Sequence, residues 1–202
     1  MFLKLQRREK TDMLKKISSI ILAASLLAAP AALTACGEAD YSDYRISENM
    51  IGSEKYDEKE LAAYLFKPED ADARLEIVDT ESETVVQSYE FPETDTYYAL
   101  FELEYALPGA DFQDMNFDGY KDLYIPCCAS TANLEGMAWL WDKDSAAFVL
   151  CEELCELYEL VIDPEEEMIM GTDYTAADGP LRTEYTWEDG KLIKTDEYTI
   201  NN

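Results

Sequence analysis

The chain contains no histidine. That absence removes imidazole general bases, Ser-His-Asp and Cys-His nucleophile arrangements, and the ordinary zinc sites that need a histidine ligand. Positive charge is scarce too: 16 Lys and Arg stand against 44 Asp and Glu in 202 residues, a formal net charge of −28. A field of that sign repels phosphate backbones and anionic lipid, which argues against nucleic-acid binding and favours cations or basic proteins as partners. Long apolar runs are missing apart from one, Ile17 to Leu33. That run is short and too rich in alanine and serine to span a bilayer well.

The single apolar run has a different logic. Lys15 and Lys16 precede it, and it ends in Leu33-Thr34-Ala35-Cys36 followed by Gly37. A basic start, a short apolar stretch and small residues before a cleavage point form an export signal. A cysteine directly after that point resembles a bacterial lipobox, which implies cleavage before Cys36 and a diacylglyceryl group on its sulfur. More than one acyl chain is the condition for stable anchoring. The expected domains are therefore a signal peptide over 1–35, a lipidated Cys36 with an acidic flexible linker over 36–56, and a folded domain over 57–202. Met13 makes a better signal start than Met1, so residues 1–12 read as an upstream extension. Removing residues 1–35 takes away six basic and two acidic residues, leaving 10 against 42 and a net charge of −32. The expected location is the extracytoplasmic face of a bacterial membrane.

The stretch richest in chemistry is Asp114-Met-Asn116-Phe-Asp118-Gly119-Tyr120-Lys-Asp122. Calcium takes about six to eight oxygen ligands, and a short loop supplies them when alternate side chains point inward and the chain then turns sharply. Asp114, Asn116 and Asp118 offer side-chain oxygens, Tyr120 its main-chain carbonyl, and Asp122 an oxygen directly or through a water. Gly119 permits the positive φ of the turn. Position twelve, where an EF-hand carries a bidentate Glu, is Ile125, so the loop is calcium-like without being an EF-hand. The plainer alternative is an acidic Asx-rich turn without metal. The loop occurs once, which fits a structural calcium at one corner better than one repeat of an array. At millimolar calcium and a Kd near ~10⁻⁴ M, mass action would add roughly 1.4 kcal/mol.

Four cysteines follow Cys36: Cys127, Cys128, Cys151 and Cys155. Export permits disulfides, and adjacent Cys127 and Cys128 cannot bridge each other without strain. Cross-pairing to Cys151 or Cys155, free thiols, and a four-thiolate zinc site without the usual spacing all remain open.

Most of the chain after residue 72 reads as β-hairpins. Ala73–Asp79 and Thr84–Phe91 flank a Thr80–Glu83 turn. Leu123–Ile125 leaves the calcium loop as a strand, and Trp139 and Trp141 share a strand face. Asp142–Ser145 turns the chain into Ala147–Leu150. Met168–Met170, Leu181–Trp187 and Lys191–Thr199 follow, the last two joined by Asp189-Gly190, a strong hairpin signal. Tyr56–Phe66 reads as a short helix ended by Pro68, and Thr96–Ala106 fits either strand or helix. The expected fold is mainly β: an antiparallel meander of seven to nine strands, sandwich or propeller-like, with a short N-terminal helix.

Val85-Val86-Gln87, Asp111, the run Asn116–Leu123 and Trp139-Leu-Trp-Asp142 with Phe148 together resemble a family of exported bacterial β proteins. These carry one FG-GAP or integrin-like calcium loop and are similar to periplasmic lysozyme inhibitors. The resemblance covers about residues 73–199 and implies calcium ligation by Asp114, Asn116, Asp118, Tyr120 and Asp122. It also implies an immunity-type role, neutralising a cell-wall-degrading enzyme. The acidic charge makes a basic hydrolase the expected partner, and the loop Cys127–Met137, which follows the calcium-pinned strand, is read as either a contact surface or an ordinary connection. An alternative is a structural or carbohydrate-binding surface lipoprotein, its aromatics stacking on sugars. Forty-two acids supply chance carboxylate pairs, and a glycosidase needs such a pair about 5–9 Å apart in a cleft. No enzyme is expected.

Overall fold

The computed structural model describes residues 40–91, 107–127 and 133–200. Cys36, Cys128, the signal segment and Thr96–Ala106 lie outside them. Two compact units are distinguished, Met1–Asp43 and Tyr44–Asn202. The description below concerns the second.

Twelve strands are present among the described residues: β1 Met50–Tyr56, β2 Lys59–Phe66, β3 Ala73–Asp79, β4 Thr84–Phe91, β5 Asp111–Gln113, β6 Asp122–Cys127, β7 Glu135–Asp142, β8 Ala147–Leu150, β9 Val161–Asp163, β10 Met168–Asp173, β11 Leu181–Glu188 and β12 Lys191–Thr199. A four-residue helix, α1 (Glu152–Cys155), follows β8. The strands form three four-stranded sheets in chain order, β1–β4, β5–β8 and β9–β12, each wholly antiparallel. The expectation of a mainly β antiparallel meander holds, but the count of seven to nine strands was too low.

The expected N-terminal helix is not there. Tyr56 pairs with Lys59 across a two-residue turn, so Tyr56–Phe66 is the last residue of β1, the turn and the returning strand β2 of a hairpin. Asp57 takes φ +54 in that turn, a conformation that Asp tolerates better than most residues. The pattern misled because both faces of β2 are covered. Leu61, Ala63 and Leu65 are buried on one side, Ala62 and Phe66 on the other. A strand buried on both faces loses the alternation that marks it. β1 in turn takes up residues expected to be flexible linker.

The first two sheets pack through a cluster of rings. Tyr56 lies 4.2 Å from Trp141 and 5.5 Å from Phe148, while Tyr89 and Phe91 approach Trp139 at 5.4 and 6.3 Å. Phe112 of β5 completes the contact against Phe148. Gln87 seals one margin of this interface. Its amide accepts the Phe148 N–H at 2.7 Å and donates to the Phe148 carbonyl at 3.1 Å, which Tyr89 Oη also reaches at 2.6 Å. One side chain thus occupies a stretch of β8 backbone that would otherwise be an open edge.

One turn recurs in all three sheets. Asp79, Asp142 and Asp163 each end a strand and accept an N–H two residues on, at 3.0–3.1 Å. Four residues after each aspartate the backbone is left-handed, at Glu83 (φ +56), Ala146 (φ +50) and Glu167 (φ +49). The aspartate fixes the start of the turn, and the left-handed residue returns the chain into its partner strand.

Candidate metal centre

The loop between β5 and β6 is built from its own side chains. Asp114 accepts the Asp118 N–H on Oδ1 (3.1 Å) and the Gly119 N–H on Oδ2 (2.9 Å). Asn116 Oδ1 accepts the Asp118 N–H at 3.2 Å, and Asp118 Oδ1 accepts the Tyr120 N–H at 2.9 Å. Asn116 Nδ2 donates to Asp118 Oδ2 at 3.0 Å. Two residues take left-handed backbone, Phe117 at φ +61 and Gly119 at φ +89. A Cβ on Gly119 would meet nothing within 4 Å. Glycine is there for its φ, not for lack of room.

Asp122 closes the loop differently. It is completely buried, and its oxygens accept the N–H of Met115 (2.7 Å) and of Trp141 on β7 (2.8 Å). Burial pushes its carboxyl up to about 7, the two N–H groups pull the other way, and the charges of Asp118 and Asp114 push it further up. The charges of Asp118 and Asp114 thus add to burial in opposing ionisation of Asp122.

Each of the three sheets grips the loop. Tyr56 Oη of the first sheet donates to the Lys121 carbonyl at 2.6 Å. The second supplies the Trp141 N–H. From the third, Trp187 Nε1 donates to the Met115 carbonyl at 2.8 Å. Met115 itself is fully buried. At the solvent side, Tyr120 Oη lies 3.5 Å from Asp57 Oδ1, and Lys143 Nζ sits 5.1 Å from the Tyr120 ring centre.

The donor set suits a hard cation. Asp114, Asn116, Asp118, the Tyr120 carbonyl and Asp122 are all oxygen donors gathered within nine residues, with no sulfur or imidazole. No group of three or more His, Cys, Asp or Glu among the described residues forms a ready-made ion cage. Asn116 and a main-chain carbonyl must therefore contribute. What a cation would supply is positive charge where Asp114, Asp118 and buried Asp122 crowd one another. Tyr56, Met115, Trp141 and Trp187 were not expected as part of this site. Only the Trp141 position, on a strand after the loop, had any sequence signal.

The other candidates fare unevenly. Cys151 is a buried free thiol whose pKa is pushed up to about 12 by burial. Cys155 Sγ accepts the Ala138 N–H at 3.3 Å. Trp139 and Trp141 are buried in the ring cluster, so they offer sugars no stacking surface. Of the loop Cys127–Met137, residues 128–132 lie outside the described set. Its far end is held down, with buried Asn133 donating to Asp173 Oδ1 at 2.9 Å and accepting the Tyr174 N–H at 2.8 Å. No protein-family model matches this chain, and neither a curated protein nor a solved structure matches it.

Proposed function

We propose that this chain is an exported, lipid-anchored protein whose β domain is pinned by one calcium ion and binds a basic cell-wall hydrolase, restraining its activity. The observation that carries the calcium part is the loop Asp114–Asp122, with alternate oxygen side chains turned inward and hydrogen bonds to all three sheets. Its ligands are Asp114, Asn116, Asp118, the Tyr120 carbonyl and Asp122. A cation there neutralises three carboxylates at one corner of the fold and acts structurally, not catalytically. The anchor rests on Cys36 in its lipobox-like setting.

The partner's chemistry follows from charge. A net of −32 after signal removal draws basic proteins and speeds their encounter. Three successive four-stranded meanders are also the kind of unit from which propeller-like folds with FG-GAP loops are built. Calcium titration followed by melting temperature tests the metal. A rise of several degrees at millimolar calcium, reversed by chelator and absent in Asp114→Ala, is expected; no shift refutes it. A pull-down with a basic lysozyme and a basic amidase, in calcium and in chelator, tests the partner. Retention of neither enzyme in calcium would sink the binding role.

A further inference from the structure

Glu76 is an unexpected side chain for the middle of a sheet. It lies on β3, 1% exposed, on the outer face. There Tyr64 pairs with Glu76 and Phe66 with Arg74, while Leu75 and Ile77 point the other way with the ring cluster. Two arginines hold it. Arg74 Nε reaches Oε1 at 2.9 Å, and Arg45 Nε reaches Oε2 at 2.7 Å. Arg74 is already shared, since its Nη1 also contacts Glu90 at 2.7 Å.

Arg45 comes from outside the sheet. The segment Tyr44–Asn49 doubles back before β1, with the Asn49 N–H on the Ile46 carbonyl at 3.0 Å and Asn49 Nδ2 on the Tyr44 carbonyl at 2.8 Å. Its ends are fastened separately. The Tyr44 ring stacks on Phe66 at 5.3 Å and 13°, and the Asn49 carbonyl accepts the Leu65 N–H at 2.9 Å. Between them Ile46 is 47% exposed, so little apolar burial holds the middle.

We propose that Tyr44–Asn49 is a strap over the outer face of the first sheet, latched by Arg45 on Glu76, and that undoing this latch frees the strap while the sheets stay folded. The ion pair is the strap's strongest hold because Glu76 is buried. Removing its partner leaves a carboxylate away from water with one arginine that Glu90 also uses. The holds at its two ends, the Tyr44–Phe66 stack and the Asn49 hydrogen bonds, flank an exposed middle, the kind of region that opens locally below the global unfolding free energy. Opening releases residues 44–49 and leaves Met50, the first residue of β1, as the point where the sheet begins to hold the chain. The latch thus controls whether residues 44–49 cover the outer face of the first sheet. It depends on neither the loop cation nor the partner.

The test is Arg45→Met in the full chain, read by amide hydrogen exchange and by cleavage after Glu48 with a Glu-specific protease. Exchange at Asn49 and Leu65 is expected to quicken at least ten-fold, with Ile77 and Trp139 within two-fold of wild type, and cleavage after Glu48 to quicken similarly. Arg45→Lys, which keeps the charge, is expected to restore most of the protection. Arg45→Met/Glu76→Gln should restore part, because no buried charge is left unpaired. Unchanged exchange at Asn49 and Leu65 in Arg45→Met overturns the proposal. So does uniform acceleration of all amides, or failure of that variant to fold, since either would make the contact part of the global fold.

Discussion

The indole Nε1 of Trp187 donates to the carbonyl of Met115 at 2.8 Å, and the N–H of that same residue donates to Asp122. One buried peptide unit on each side of Met115 therefore ties the third sheet to the carboxylate that also holds β7. The loop is a joint between sheets before it is anything else. Its geometry matters even without a cation, because Met115 and Asp122 are withdrawn from water and their polar groups depend on these partners.

Trp187→Phe keeps most of the ring and removes the donor. A buried carbonyl left without its partner costs about 1–3 kcal/mol. The denaturation midpoint should fall by that amount with little change in m-value. Loss of less than half a kcal/mol would show that water replaces the indole N–H and that the joint lies elsewhere.

The burial of Asp122 gives a pH dependence of defined sign. In the native state its carboxyl is pushed up to about 7, against roughly 3.9 in an unfolded chain. Between those values the native state binds more protons than the unfolded one, so stability falls as pH rises from about 4 to about 7 and then levels off. In chelator, the melting temperature should be higher at pH 5 than at pH 8. Repulsion among the many other acids acts in the same direction, so Asp122→Asn supplies the contrast. That variant loses one N–H acceptor and is less stable, but its slope between pH 5 and 8 should be shallower. Calcium should reverse the trend, since binding needs the ionised carboxylate and weakens below about pH 7. Equal slopes in wild type and Asp122→Asn would discount the buried carboxyl.

Much of the hairpin architecture was legible because it rests on local chemistry. Ala73–Asp79, Thr84–Phe91, Ala147–Leu150 and Lys191–Thr199 fall where alternation and turn residues put them, and Asp189-Gly190 forms its turn with φ +50 and +72. The alternating loop of Asp114, Asn116 and Asp118 could be read for the same reason. What could not be read depends on distant parts of the chain. Tyr56–Phe66 looks helical until both faces are covered. Trp187 gives no hint that its indole serves a carbonyl 72 residues earlier. Glu76 sits in a sequence where acids are everywhere, and only burial beside two arginines sets it apart.

Cys151 should be inert in the folded protein. Burial raises its thiol to about 12, which leaves roughly 10⁻⁴ of it as reactive thiolate at pH 8. Iodoacetamide at pH 8 should leave Cys151 unmodified over hours in native buffer and label it within minutes in denaturant, as read by peptide mass spectrometry. Rapid native labelling would mean that α1 opens often enough to expose it.

The three recurring turns offer the sharpest check on the backbone. Glu83, Ala146 and Glu167 each carry a side chain at φ near +50, where an L-residue costs about 1–2 kcal/mol relative to glycine. Glycine has more freedom to lose on folding, which offsets part of that gain. Replacing each singly by glycine should therefore stabilise the domain by about 0.5–1 kcal/mol. Glu83 and Glu167 are exposed, so glycine there removes little packing, and the gain should come through the backbone. The triple variant should be close to additive, since the turns belong to different sheets. Destabilisation at any one of the three, measured by chemical denaturation, would show that its turn is not left-handed in solution.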